Sequence, residues 1–343
     1  MTDVVLVTGV SRYLGGRFAR ELARGGRVRV IGVDVVPPPH DLGAAEFVRA
    51  DIRNPVIAKV LERAGVDTVV HLNVIATPTS AGGRVSMKEI NVIGTMQLLA
   101  ACQKSTTVRR LVVKSATVVY GSSPSDPAMF TEDAAAVVPP RSGWGKDTIE
   151  VEGYVRGFTR RRPDVDVAVL RLANIVGPGM RTALTGYLES PAVPTVLGFD
   201  PRLQLVHEED AIEALRLATT GDVAGVVNVA GDGVLTLHQA IGTTGRPAVP
   251  VPRPLMSVVG RALSRTRGID LSAEQVRFLS YGRVVATRRM RDDLGLVPRY
   301  STRAALTDFV RARRLSGPLS ARRVEAVQHG VEAVVGQVAH VLR

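Results

Sequence analysis

VVLVTGVSRYLGGRFARELARGGRVRVIGVD, residues 4–34, decides the fold. The apolar run Val4 to Val7 reads as a buried strand, TGVSRYLGG (Thr8 to Gly16) as a tight turn, and the stretch that follows as a helix with Phe18, Leu22 and Ala23 on one face. A helix start leaves backbone N–H groups unpaired and carries the positive end of the helix dipole, so a turn small enough to admit a pyrophosphate becomes an anion site. Gly9 and Gly15 supply that room. A second apolar run, Val28 to Val33, ends in Asp34, nineteen residues beyond Gly15, where a dinucleotide fold places the carboxylate that accepts hydrogen bonds from the adenosine ribose. The middle of the turn departs from the pattern, with Arg12 and Tyr13 where a glycine is expected.

Short β-branched runs continue at Glu46 to Val48, Thr68 to Leu72, Arg110 to Lys114 and Asp166 to Leu172, alternating with helical stretches. Such alternation predicts an α/β protein with a Rossmann-type, doubly wound parallel sheet. Ligands of these sheets bind at the carboxyl ends of the strands, which singles out Asp34, Asp51, Asn73, Ser115 and Asn174. From about Gly177 proline and glycine become frequent, predicting a smaller C-terminal substrate lobe. The division expected is a dinucleotide-binding domain over 1–176 with returning segments at about 203–232, a substrate lobe over 177–202 and 233–314, and a tail over 315–343. Ser272 reads as the N-cap of a helix over Ser272 to Leu279. In the tail, Val324, Val327, Val331, Val334, Val338 and Val341 form one apolar stripe, predicting a C-terminal amphipathic helix that packs on the body or on a second subunit. Membrane-surface contact through it is disfavoured, since valine is a poor anchor.

Composition narrows the classes further. The chain has 343 residues and 45% apolar content, enough for a large core, and no apolar run long enough for a membrane span. It starts directly on a strand without a secretory leader, which predicts a cytoplasmic protein. The net charge of +12 is spread among arginines and only 4% of residues are aromatic, so nucleic acid is not an expected partner. The single cysteine, Cys102, reads as a small core residue, and no histidine has metal-ligand spacing, so no metal site is expected.

Several ordered motifs complete the picture: RADIRNP (49–55), VVHLNVIA (69–76), NVIGTMQLLAAC (91–102), VVKSATVVYGSS (112–123), LRLANIVGPG (170–179), VHEEDA (206–211) and RMRDDLGLVP (289–298). Over roughly residues 3 to 310 the chain resembles the extended short-chain dehydrogenase/reductases, the epimerase/dehydratase group that includes UDP-glucose 4-epimerase, and in particular actinobacterial epimerase-like proteins. The resemblance implies NAD as cofactor, bound by Gly9, Arg12, Tyr13, Leu14, Gly15, Asp34, Asp51, Ile52, Leu72, Asn73 and Lys146. The Ser11-Arg12 pair resembles the loop of single-domain reductases that hold NADP, but Asp34 repels a 2′-phosphate, which favours NAD. Arg12 either lies across the adenine, pairs with the pyrophosphate through its planar donors, or points to solvent.

Catalysis in that family uses Tyr-x-x-x-Lys with a Ser or Thr, the ammonium helping a phenol of intrinsic pKa about 10 to act near neutrality. Here SGWGK keeps Lys146 but places Ser142 at the tyrosine position, and the hydroxyl position is Ala116, flanked by Ser115 and Thr117. A serine hydroxyl is too weak an acid to replace the phenol. The resemblance then implies that Lys146 orients the nicotinamide ribose, and that either an acid not marked by the motif or a solvent molecule held by Ser142 and Thr117 moves the proton. Tyr120 and Arg171 read as structural, and His71 as a hydrogen-bonded core residue. For the substrate, Asn174 is retained, whereas RLQLVH (202–207) has Leu203 at the diphosphate-gripping arginine position and Arg202 one residue early. Two functions follow as expectations: slow or non-standard hydride transfer on a sugar nucleotide or other small carbonyl or alcohol, and a non-catalytic dinucleotide-binding sensor or partner protein. The resemblance also implies a homodimer built from helices at Ser86 to Cys102 and Lys146 to Arg162.

Overall fold

A computed structural model describes residues 3–76, 82–260 and 271–315 of the protein. The strands are β1 (Asp3–Thr8), β2 (Val28–Asp34), β3 (Glu46–Arg49), β4 (Thr68–His71), β5 (Arg110–Ala116), β6 (Asp166–Leu172), β7 (Asn174–Val176), β8 (Val193–Val196), β9 (Arg202–Leu203), β10 (Leu205–His207), β11 (Gly225–Val229), β12 (Leu235–Thr236) and β13 (Ala248–Val251). The principal helices are α1 (Tyr13–Arg24), α2 (Val56–Ala64), α3 (Arg84–Lys88), α4 (Thr95–Lys104), α5 (Gly143–Arg161), α6 (Ala183–Leu188), α7 (Glu208–Thr220), α8 (Leu237–Thr244), α9 (Ala273–Tyr281), α10 (Arg288–Asp292) and α11 (Thr302–Ala312).

Seven strands form one parallel sheet in the order β11-β6-β5-β4-β1-β2-β3. Strand order reverses between β1 and β4, and a crevice at such a switch point is where open α/β sheets bind ligands. Side chains alternate across the sheet. Val5, Val7 and Val30 join α1 and α7 in one core, with Phe18 and Leu215. Leu6, Ile31 and Val113 face α2, α4 and α5 in the other, with Leu98 and Phe158. A third apolar cluster, including Tyr187, Leu203, Leu237, Phe278 and Phe309, gathers β8, α8, α9 and α11. No helix among the described residues is long and apolar enough to cross a membrane.

Element boundaries differ from the sequence expectations in physically definite ways. β4 stops at His71 rather than Leu72, because the Thr8 hydroxyl accepts from Leu72 N at 3.2 Å and turns the chain out of the ladder. β5 runs on to Ala116, and Thr117 opens a 3-10 turn (Thr117–Tyr120), so the strand alternation ends just where the flanking hydroxyls stand. The helix expected over Ser86 to Cys102 is α3, a π-turn at Glu89–Gly94, and α4. Asn91 lies in that π-turn and clamps Ile75, accepting from its N at 2.7 Å and donating to its carbonyl at 2.9 Å. Ser272 caps α9 as expected, its hydroxyl accepting from Gln275 N. The apolar stripe of the tail lies outside the described residues.

Candidate functional site

The turn after β1 packs backbone on backbone. Gly9 adopts φ +82°, and a Cβ there would stand 3.0 Å from Asn73 N; a Cβ on Gly15 would stand 2.2 Å from the Gly9 carbonyl oxygen. Only glycine fits both positions. The turn leads into α1, whose first amides belong to Tyr13, Leu14 and Gly15. At the end of β2, the Asp34 carboxylate accepts from Ser11 N at 3.1 Å and Val35 N at 2.8 Å, which fixes it beside the turn. Arg12, whose charge acts on Asp34, is itself lowered in pKa by burial.

The floor comes from β4. His71 bridges Thr8 Oγ1 at 2.8 Å and Thr95 Oγ1 at 2.9 Å, and burial, aided by the Lys114 charge, pushes its pKa down to about 3. It is a neutral core residue, as the sequence indicated. Asn73 follows, buried against Gly9. Leu72 is a core side chain, and Ile52 packs on Gly94 of the π-turn, so these two contribute shape behind the crevice. Asp51 is paired with Arg53 at 2.7 Å, and that guanidinium holds its carboxyl below the usual range.

Ser142 is the exposed N-cap of α5, and Lys146, one turn later, is exposed with Glu150 at 3.8 Å. Thr117 is buried at the start of the 3-10 turn. Ser115 points away from Ala116 into a buried network: its hydroxyl donates to Glu152 of α5 at 2.5 Å, and Glu152 takes Arg171 in a fork at 3.0 and 2.7 Å. Arg171 also donates to Tyr120 Oη at 2.8 Å, and that hydroxyl donates to Asn228 Oδ1 at 2.8 Å. Burial raises the Tyr120 phenol above its ordinary value. Tyr120 and Arg171 are therefore structural, and Glu152, Glu132 and Asn228 are partners that local sequence patterns did not reveal.

Asn174 opens β7 opposite Leu205 of β10, and Arg202 is exposed on β9 with its guanidinium donating to the Ala128 carbonyl at 2.9 Å. Tyr13 lies across the site's edge. Its hydroxyl donates to Glu208 at 2.7 Å, and its ring touches Gly179, where a Cβ would stand 2.0 Å from Cζ. Glu208 is 2% exposed and also accepts from Gly179 N and Met180 N, at 2.9 and 3.0 Å. Sequence reasoning missed Lys114, which it read as the closing residue of a strand. A lysine inside a β-branched run at a ligand-bearing sheet edge was the available signal. No group of His, Cys, Asp and Glu with metal-ligand geometry occurs among the described residues.

Comparison with known proteins agrees with this architecture. The uncharacterized protein Rv0501 of Mycobacterium tuberculosis is 48% identical over 328 residues, spanning 94% of this chain and 87% of its own. Short-chain dehydrogenase/reductase family 42E member 1 of Homo sapiens is 28% identical over 237 residues, 63% of this chain and 58% of that protein. Among solved structures, MoeE5 in complex with UDP-glucose and NAD superposes with a TM-score of 0.70 at 22% identity, covering 91% of this chain and 98% of its own. UDP-glucose 4-epimerase of Thermotoga maritima with UDP-glucose gives 0.70 at 21% identity, covering 91% and 98%. The sequence pattern of the NAD dependent epimerase/dehydratase family matches residues 5–230, about two thirds of the chain. With that match over about two thirds of its length, and with a seven-stranded parallel sheet beneath its glycine turn, the chain belongs to the NAD dependent epimerase/dehydratase family.

Proposed function

We propose that the chain binds NAD across the carboxyl ends of β1, β2, β4 and β5 and supports slow hydride exchange with a hydroxyl or carbonyl of a sugar nucleotide or other small molecule. The observation that carries this reading is the Gly9–Gly15 turn, packed backbone on backbone so tightly that neither position admits a Cβ, which sets the first amides of α1 directly after β1 where a pyrophosphate would meet them. Asp34, at the end of β2, accepts from the adenosine ribose hydroxyls and disfavours a 2′-phosphate. Bound NAD supplies a hydride acceptor. Lys146 orients the nicotinamide ribose, Ser142 and Thr117 hold the water through which the substrate proton moves, and Asn174 and Arg202 contact the substrate. Loss of a general acid typically lowers a rate by about 10²- to 10⁴-fold, which leaves slow turnover.

A second reading, a dinucleotide-binding sensor without turnover, is favoured by the exposure of Lys146 beside Glu150. The division into a dinucleotide domain (1–176 with 203–232) and a substrate lobe (177–202 and 233–314) is supported by the separate apolar cluster around Tyr187, Leu237 and Phe309, into which Leu203 and Leu205 of the returning segment also pack. A second copy is the proposed partner, through the π-turn, α4 and α5, which expose Ile93, Met96 and Tyr154 respectively.

The deciding measurement is the cofactor content of the purified protein by absorbance and mass spectrometry, followed by incubation with sugar nucleotides and small carbonyls while cofactor redox state is monitored. Bound or titratable NAD with slow redox turnover is the expected result. Turnover that rises on combining Ser142→Tyr with Ala116→Thr supports the hydride reading, and bound NAD without any redox change supports the sensor. Absence of NAD(H) and NADP(H) binding at millimolar concentration overturns both.

A further inference from the structure

Lys114 and Ala116 lie on the same face of β5, both partly exposed, with Ser115 between them buried on the other face. The Lys114 ammonium reaches out of the sheet toward the segment after β4 and donates to the Val74 carbonyl at 3.0 Å. Val74 directly follows Asn73, the residue against which Gly9 of the phosphate turn is pressed. Lys114 thus ends beside the same crevice that the turn opens into, close enough to Arg12 for the two positive charges to repel. Among the described residues no carboxylate forms an ion pair with Lys114. An ammonium held in a part-buried crevice by one carbonyl, beside a second positive charge, gains from an anion that reaches it.

We propose that Lys114, together with Arg12, receives the pyrophosphate of the bound dinucleotide. The proposal rests on the reading that the chain binds NAD and assigns to the phosphates a side chain outside the glycine turn. Charge-assisted hydrogen bonds from an ammonium and a guanidinium to phosphate oxygens supply what the Val74 carbonyl alone cannot.

A proton linkage follows. Without ligand, burial and then the Arg12 charge push the Lys114 pKa down to about 8. The other groups around it do not offset this: His71 of β4 is neutral, and Glu152 of α5 and Arg171 of β6 are paired with each other on the opposite face of β5. A diphosphate stabilises the ammonium, so binding near pH 8 draws about half a proton into the protein, and affinity falls as pH rises further.

The test is calorimetric titration of the full chain with NAD at several pH values, in two buffers of different ionisation heat. Expected are net proton uptake at about pH 8, weaker binding above it, and a loss of about 10- to 100-fold in affinity on Lys114→Met at neutral pH, with the pH dependence abolished. Adenosine, which lacks the pyrophosphate, is expected to bind wild type and variant alike. NAD binding without proton exchange, or an unchanged affinity in Lys114→Met, overturns the proposal while leaving the NAD reading intact. Should Lys114→Met fold poorly, proton uptake by the wild type decides alone. Proton uptake on adding UDP-glucose but not NAD reassigns the pair to a substrate diphosphate and also overturns the proposal. A wild type that binds no NAD at all overturns the underlying reading as well.

Discussion

Replacing Arg171 by methionine isolates the charge pair that joins β6 to α5 behind the candidate site. Arg171 is 9% exposed and Glu152 4%, and the two share a fork of 3.0 and 2.7 Å. Methionine fills similar volume but leaves a buried carboxylate with the Ser115 hydroxyl at 2.5 Å and Arg156 at 3.8 Å. Breaking one side of such a pair costs about 3–5 kcal/mol, a large share of the roughly 5–15 kcal/mol typical of a folded protein. Arg171→Met also strips Tyr120 Oη and the Glu132 carbonyl of a donor. The double variant Glu152→Met/Arg171→Met removes both charges, and its expected cost is the few lost neutral hydrogen bonds, about 1–3 kcal/mol. It should thus be more stable than Arg171→Met alone. Urea unfolding followed by circular dichroism, with the coupling taken from the full double-mutant cycle, measures this. Single variants that each cost below about 1 kcal/mol, or a double variant whose loss equals the sum of the singles, would refute the reasoning.

Three further outcomes are expected. Gly15→Ala drives a Cβ to 2.2 Å from the Gly9 carbonyl, so the turn must open at a cost of about 1–3 kcal/mol and NAD affinity collapses, whereas Gly25→Ala meets no atom within 4 Å and is close to neutral; equal affinities in a fluorescence titration would contradict this. His71, with its folded pKa of about 3 against an unfolded value near 6.5, binds its proton only in the unfolded chain across that window. Its contribution is therefore complete above pH 6.5 and is lost as pH falls toward 3, by up to about 1.4 kcal/mol per pH unit; comparing urea midpoints at pH 7 and 5 for wild type and His71→Asn should show the slope only in the former. Burial pushes the Cys102 thiol up to about 12, so alkylation by iodoacetamide should track global unfolding, and rapid labelling of the native protein would count against that burial.

The sheet was legible because its strands are local: β1, β2 and β6 coincide with apolar runs bounded by turns, and Asp34 marks the end of β2 by its spacing alone. The π-turn was not legible, since it depends on Asn91 clamping Ile75 sixteen residues away. The Glu152–Arg171–Tyr120–Asn228 network was half legible: Arg171 and Tyr120 stood out by motif, but their partners lie 19 to 108 residues apart. Lys114 escaped because alternation says which face a side chain takes, and says nothing of what a long amine reaches once there. The Tyr13 hydroxyl bonds Glu208, a partner 195 residues away that no local pattern could reveal.

That bond between Tyr13 and Glu208 also bears on how the protein is made. It spans 195 residues, and Arg17 of α1 ties to the same carboxylate at 2.8 Å. While the chain is being synthesised, α1 can form and pack on β2 early, but Tyr13 and Arg17 lack their Glu208 partner until α7 emerges. Long-range closures of this kind are paid late in folding. The glycine turn is therefore written at the start of the chain and finished only after about three fifths of it has been made, so a ribosome-bound or truncated product ending before residue 208 would carry the turn without its brace.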